Sequence, residues 1–143
     1  MKLPIPNEKL VREAVDEFDR ENEAVEQALA ELFHQYPRNE DLRHVVLKVT
    51  ALNSLYSTQI PVYGQRIPDV LDVARQIHRN SQEIDSALVD GSACSPGIVG
   101  TIASLKVPGR QNRCYYAFAT KYCSWHKPKL YPIWDSRVDR YLW

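Results

Sequence analysis

Tyr115-Tyr116-Ala117-Phe118-Ala119-Thr120-Lys121-Tyr122-Cys123-Ser124-Trp125-His126-Lys127-Pro128, continued by Tyr131-Pro132-Ile133-Trp134-Asp135-Ser136-Arg137-Val138, is the stretch on which the reading of this chain turns. The first part has no glycine and no period-two alternation, so it predicts an aromatic helix, from about Asn112 to Trp125, stopped by Pro128. The second part is a proline-bounded loop that delivers Asp135 to the start of another helix. A lone carboxylate there is either a helix cap or a working group.

The same helical pattern extends outward through almost the whole chain, which holds only five glycines. Asn7 caps a first helix with apolar positions Leu10, Val11, Ala14, Val15 and Phe18. A second, from about Glu21 to Tyr36, shows Val25, Ala28, Leu29, Leu32 and Phe33 and is stopped by Pro37. Asn39 is the expected cap of a third, apolar at Leu42, Val45, Val46, Val49, Leu52 and Leu55. Residues 58–67 read as a loop, and Pro68 as the first residue of a helix carrying Val70, Leu71, Val73, Ala74 and Ile77. A short helix over Gln82–Val89 and an apolar segment over Ile98–Val107 precede the aromatic helix. The expected fold is all-α: one domain, an orthogonal helical bundle of about seven or eight helices.

A chain of 143 residues is long enough for one domain with a core, and 44% hydrophobic with 25% charged residues is ordinary for a globular protein. No apolar run approaches the roughly 20 residues that span a bilayer. Met1-Lys2-Leu3-Pro4-Ile5-Pro6 is too short and too proline-broken for a signal peptide, so the expected location is cytoplasmic. Cys94, Cys114 and Cys123 are an odd number without CxxC spacing and read as buried thiols rather than a disulfide or zinc framework. His34, His44 and His78 share no ligand spacing, so no metal is expected.

The net charge of zero hides an asymmetry. Residues 1–43 hold eleven acids against six Lys/Arg, while residues 101–143 hold two acids against eight Lys/Arg. One basic end points to a localised anionic partner, with nucleic acid first, or to an internal contact between acidic front and basic back. Val138, Leu142 and Trp143 leave apolar surface on the last helix. That surface implies a truncated form, a homo-oligomer, or a partner that supplies the missing face.

Pro132-Ile133-Trp134-Asp135-Ser136-Arg137-Val138 resembles the loop that carries the catalytic aspartate in the helix-hairpin-helix superfamily of DNA glycosylases. The matching positions are Pro132, Ile133, Asp135 and Val138. Lys127-Pro128 resembles the short loop before that segment. Val107-Pro108-Gly109-Arg110-Gln111-Asn112-Arg113 falls where that superfamily has its DNA-binding hairpin, with Gln111 in place of the second glycine. Asn53-Ser54-Leu55-Tyr56-Ser57-Thr58 falls where a core helix lines the base pocket. The aromatic block also resembles uncharacterised bacterial proteins with a similar Tyr-Pro-Ile-aromatic-Asp-Ser ending. The resemblance implies a monofunctional DNA repair hydrolase, because Arg113 occupies the position of the lysine that bifunctional members use. It implies no cofactor, because the cysteines of iron–sulfur members are absent. The implied partner is double-stranded DNA with a flipped base.

In that chemistry a carboxylate stabilises the oxocarbenium-like state formed as an N-glycosidic bond breaks, a role for Asp135. Lys121 is the second catalytic candidate, as a Schiff-base nucleophile or phosphate contact, against a solvated helix lysine. Tyr131, Trp134 and Tyr115 are candidates to stack the base, against ordinary packing. Arg110, Arg113, Lys121, Arg137 and Arg140 are the expected DNA contacts. His126 reads as a capping or core histidine rather than a general base. Two alternatives stand beside this reading: a non-catalytic DNA-binding module, and a helical interaction domain docking through its C-terminal helix.

Overall fold

The computed structural model describes residues 5–142. The start of the signal-peptide reading and Trp143, with its expected place on the last apolar face, lie outside the described residues. The described fold is an all-α bundle of seven α-helices and one π-helical turn, with a single two-stranded ribbon.

Helix α1 runs unbroken over Glu8–Gln35, where two helices were expected. Neither glycine nor proline interrupts it. Asn22, beside the expected join, donates to the carbonyl oxygen of Phe18 one turn back, at 2.9 Å. Asn7 caps it as expected, accepting from the Leu10 N–H at 2.9 Å.

Helix α2, Leu42–Tyr56, is capped by Asp41, which accepts from the Arg43 N–H. Asn39, the expected cap, is fully buried and turned inward. The following loop opens with Ser57 and Gln59 at positive φ (49° and 63°). Asn53 holds it there by bonding both the N–H and the C=O of Ile60. Pro68 precedes helix α3, Val70–Arg79, rather than starting it. Asp69 takes the cap in a reciprocal capping box with Asp72.

Helix α4, Ser81–Asp85, relaxes into a π-helical turn over Ser86–Asp90. Helix α5, Gly97–Ala103, leads into the ribbon β1 (Ser104–Leu105) and β2 (Arg113–Cys114), paired antiparallel. Gly109 turns it at φ +78°, a conformation that favours glycine. The aromatic helix α6 is therefore shorter than expected, Tyr116–His126, because Arg113 and Cys114 are spent on the ribbon. Helix α7, Ser136–Leu142, follows Asp135 as expected.

The core joins the second half of α1 to α2, α3, α5 and α6. Its side chains include Leu29, Phe33, Val45, Leu52, Ile77, Ile102, Phe118 and Tyr122. One polar cluster interrupts it. Lys48, with no exposed surface, donates to Asn39 Oδ1 (2.8 Å) and the Arg38 carbonyl (3.3 Å). Tyr122 OH donates to the same Asn39 oxygen at 2.5 Å. Asn39 in turn bonds the buried Asp85 carboxylate through Nδ2 (2.6 Å) and its backbone N–H. Asn39 thus links a buried ammonium to a buried carboxylate and fixes the α1–α2 connection to α4.

Candidate active site

Lys121 and Asp135 meet across 3.3 Å, the lysine on α6 and the aspartate at the start of α7. Lys121 is only 7% exposed, so it is neither the solvated nor the snorkelling lysine that its sequence context suggested. Its ammonium lies 5.9 Å from the centroid of the Tyr56 ring. Asp135 is a cap in full: its Oδ1 accepts from the N–H groups of Arg137 (2.9 Å) and Val138 (3.1 Å), leaving Oδ2 to the lysine. The Val138 N–H, with help from the Arg137 N–H and Lys121, holds its carboxyl below the usual carboxylate range against the effect of burial. Asp135 is therefore ionised at neutral pH.

The residues beside the pair fix its geometry. The Thr120 hydroxyl oxygen accepts from the Trp134 N–H at 3.1 Å. Its proton is within reach of the carbonyl oxygens of Trp134 and Ala117, each 3.0 Å away. Thr120 precedes Lys121 and Trp134 precedes Asp135, so a cross-link between neighbours sets the separation of the two charged groups.

Next to the pair opens a cleft of about 740 Å³ between α1, α2, the π-helical turn and α6. Tyr56, under the ammonium, lines it, as does Ile133, two residues before Asp135. Ser124 and Trp125, three and four residues after Lys121, continue the same face of α6 into its wall. Phe33 contributes an aromatic side, with ring centroids 6.1 Å from Trp125 and 5.0 Å from His126. Glu26, His34, Tyr56, Ser124, His126 and Lys127 bring polar groups to the cleft. Tyr56 OH donates to Glu26 at 2.5 Å, and burial together with that carboxylate raises the phenol above its usual range. His126 Nε2 is buried without a partner, and burial pushes the imidazole well below its ordinary pKa. His126 is thus a core histidine with a neutral ring, because desolvation outweighs the partial charge at the end of α6.

The other expected site residues scatter. Tyr131 is 2% exposed, and its hydroxyl accepts from the Ser95 N–H at 2.9 Å, so it is core and offers no face to a base. Tyr115 is half-buried, with its hydroxyl donating to the Pro68 carbonyl at 2.5 Å on the α3 side, away from the residues that line the cleft. Trp134 is half-buried, with both backbone groups tied to Thr120. Arg110 turns inward to the carboxylates of Asp69 and Asp72, the capping box of α3, which neutralise it as a phosphate contact. Lys121 is likewise committed to Asp135. Arg113, Arg137 and Arg140 are exposed and keep an open basic surface.

Among the described residues no ion pair joins the acidic front to the basic back, so the internal charge contact is not formed. Cys123 is buried, but Cys94 and Cys114 are exposed, unlike the expectation for all three. Tyr56 lies in the segment that the resemblance sets along the base pocket, whereas Glu26 and the buried Lys48 cluster were missed as functional or structural sites. Their only sequence signal was a polar residue on an otherwise apolar stripe.

The model of the HI_0787_N family, described as an N-terminal domain, matches residues 10–130. The chain belongs to this family. An uncharacterised protein of Haemophilus influenzae is 30% identical to it over 90 residues, which are 63% of this chain and 39% of that relative. The chain therefore spans well under half of the relative that it matches. No solved structure matches it significantly. The HI_0787_N match takes in α1 to α6 with the whole aromatic wall of the cleft, and ends just before the Asp135 loop. No helix among the described residues is long and apolar enough to cross a membrane.

Proposed function

We propose that this chain carries a DNA glycosylase-like site in which Asp135 and Lys121 act on a nucleotide whose base is turned into the aromatic cleft. The observation that carries the reading is the shielded Lys121–Asp135 pair beside a cleft walled by Tyr56, Phe33 and Trp125. Cleavage of the N-glycosidic bond sends the bonding electrons to the base and leaves positive charge on the sugar. The ionised Asp135 is suited to stabilise that charge, and a water adding at the anomeric carbon completes hydrolysis. The cleft's size is in the range of small-molecule sites, and its aromatic walls suit a stacked base. Arg113, Arg137 and Arg140 supply phosphate contacts.

Lys121 modifies the expectation of a purely monofunctional enzyme. Its amine lies at the carboxylate, where a Schiff base with the opened sugar could form, although Arg113 fills the position that the resemblance assigns to such a lysine. The test is excision from duplex and single-stranded DNA carrying a panel of modified bases, with borohydride added in parallel to trap a covalent adduct. Excision lost in Asp135→Asn supports the reading. An adduct lost in Lys121→Gln assigns the amine as nucleophile, whereas excision without an adduct leaves it a positioning residue. A folded protein that excises nothing while binding DNA identically with Asp135→Asn favours the non-catalytic module instead.

A further inference from the structure

Helix α1 is longer than the body it packs on. From Glu8 to Glu21 every residue is exposed, and burial begins only in the second half, at Leu29 and Phe33. At 1.5 Å per residue the exposed part projects by roughly 20 Å. It is not a polar helix. Leu10, Val11, Val15 and Phe18 are exposed by 45–49% each, and the last three follow a strict repeat. Val11, Val15, Phe18, Asn22, Val25, Leu29 and Leu32 alternate spacings of four and three, the seam of a coiled coil. The body of the chain uses the last part of that seam. The first part has no cover within the described residues.

We propose that this N-terminal half of α1 is a dimerisation arm that pairs antiparallel with the same segment of a second copy of this chain. The seam residues name a helix of like periodicity as the occupant, and the charges beside the seam choose the copy and its direction. With Val15 and Asn22 in the first core position of each heptad, Arg12, Asp19 and Glu26 flank the seam on one side and Ala14 and Glu21 on the other. A parallel pair would set Glu21 against Glu26 of the partner subunit, a like-charge contact. An antiparallel pair with Val15 across from Phe18 of the partner subunit sets Arg12 against Asp19 of the partner subunit, twice by symmetry. The small Ala14 then faces Glu21 of the partner subunit without repulsion. Glu13, Asp16, Glu17 and Glu23 lie on the outer positions and stay in water. Asn22 is the single polar residue in the seam; this register sets it across from Val11 of the partner subunit, which lowers affinity.

The experiment is sedimentation equilibrium of the full chain over a wide concentration range. The expected result is a species of twice the 16.5 kDa chain mass that dissociates on dilution. Phe18→Glu is expected to give a single-chain mass throughout with an unchanged melting transition of the body, since Phe18 lies outside the core. Arg12→Asp and Asp19→Arg each weaken association by about 10-fold, and the double exchange restores it. Asn22→Leu tightens it by at least about 10-fold. A single-chain mass at every concentration overturns the proposal and leaves the stripe to a different partner. A dimer indifferent to Phe18→Glu, or one that the double exchange fails to restore, overturns it as well.

Discussion

Replacing Lys48 by methionine tests the buried polar cluster. Lys48 has no exposed surface, and its ammonium lies 5.4 Å and 5.5 Å from the ring centroids of Phe33 and Tyr122. Burial pushes it down to about 7, opposed by the attraction of Asp85. In the unfolded chain the same lysine titrates near 10.4. Between these values the unfolded state holds a proton that the folded state lacks, so stability rises with pH across the interval. The slope for one group is about 1.4 kcal/mol per pH unit, on the order of 5 kcal/mol in all. Below pH 7 both states are protonated and the full cost of burying the charge is felt. Methionine removes the titration and keeps most of the volume, while leaving Asn39 Oδ1 and the Arg38 carbonyl one donor short. The stability of Lys48→Met relative to the parent should therefore be greatest near pH 6 and should fall steadily up to about pH 10. Urea unfolding of both proteins at about pH 6, 8 and 9.5 measures it, with other titrations cancelling between the two. A difference that stays constant over that range refutes the account of a strained buried ammonium.

Three further outcomes follow from the geometry. Cys94 and Cys114 should react at once with a thiol reagent, whereas Cys123, buried and pushed up to about 12, should react only at the rate of unfolding. Tyr131→Phe should cost about 1 kcal/mol in chemical denaturation, because it removes the acceptor of the Ser95 N–H; a neutral result would place that N–H in water. Asp135→Ala should speed amide exchange in α7 at neutral pH through loss of two cap bonds worth about 1 kcal/mol. Since the folded carboxyl titrates below the ordinary range, its contribution is present above the unfolded pKa and is lost as pH falls through the folded value. The difference between parent and variant should therefore vanish in acid.

The sequence made the helices legible and the site only partly so. Apolar spacing located the cores of the long helices, with Pro37, Pro68 and Pro128 near their ends, but read α5 only as part of an apolar segment. The joins failed where side chains chose backbone partners that no local rule dictates. Asn22 bonded its own helix, Asn39 went into the core, and Arg113 joined a ribbon. At the site Asp135 could be read from its loop, because a carboxylate between an aromatic and a helix start has few roles. Its pairing with Lys121 could not, since it depends on how α7 folds back over α6. Tyr131 shows the opposite error: an aromatic residue near a candidate acid looks like a binding surface until burial shows what it packs against.

The Thr120–Trp134 cross-link makes the charged pair a portable unit. Lys121 and Asp135 stand 14 residues apart, as do Thr120 and Trp134. Two dipeptides 14 residues apart thus encode both the charged pair and the staple that spaces it. Because Trp134 contributes only backbone atoms to the staple, the staple asks for no particular side chain at position 134, whereas it needs a hydroxyl at position 120. A Thr-Lys or Ser-Lys dipeptide followed at that interval by any residue and aspartate can form the same unit only where the segment between them folds α7 back over α6.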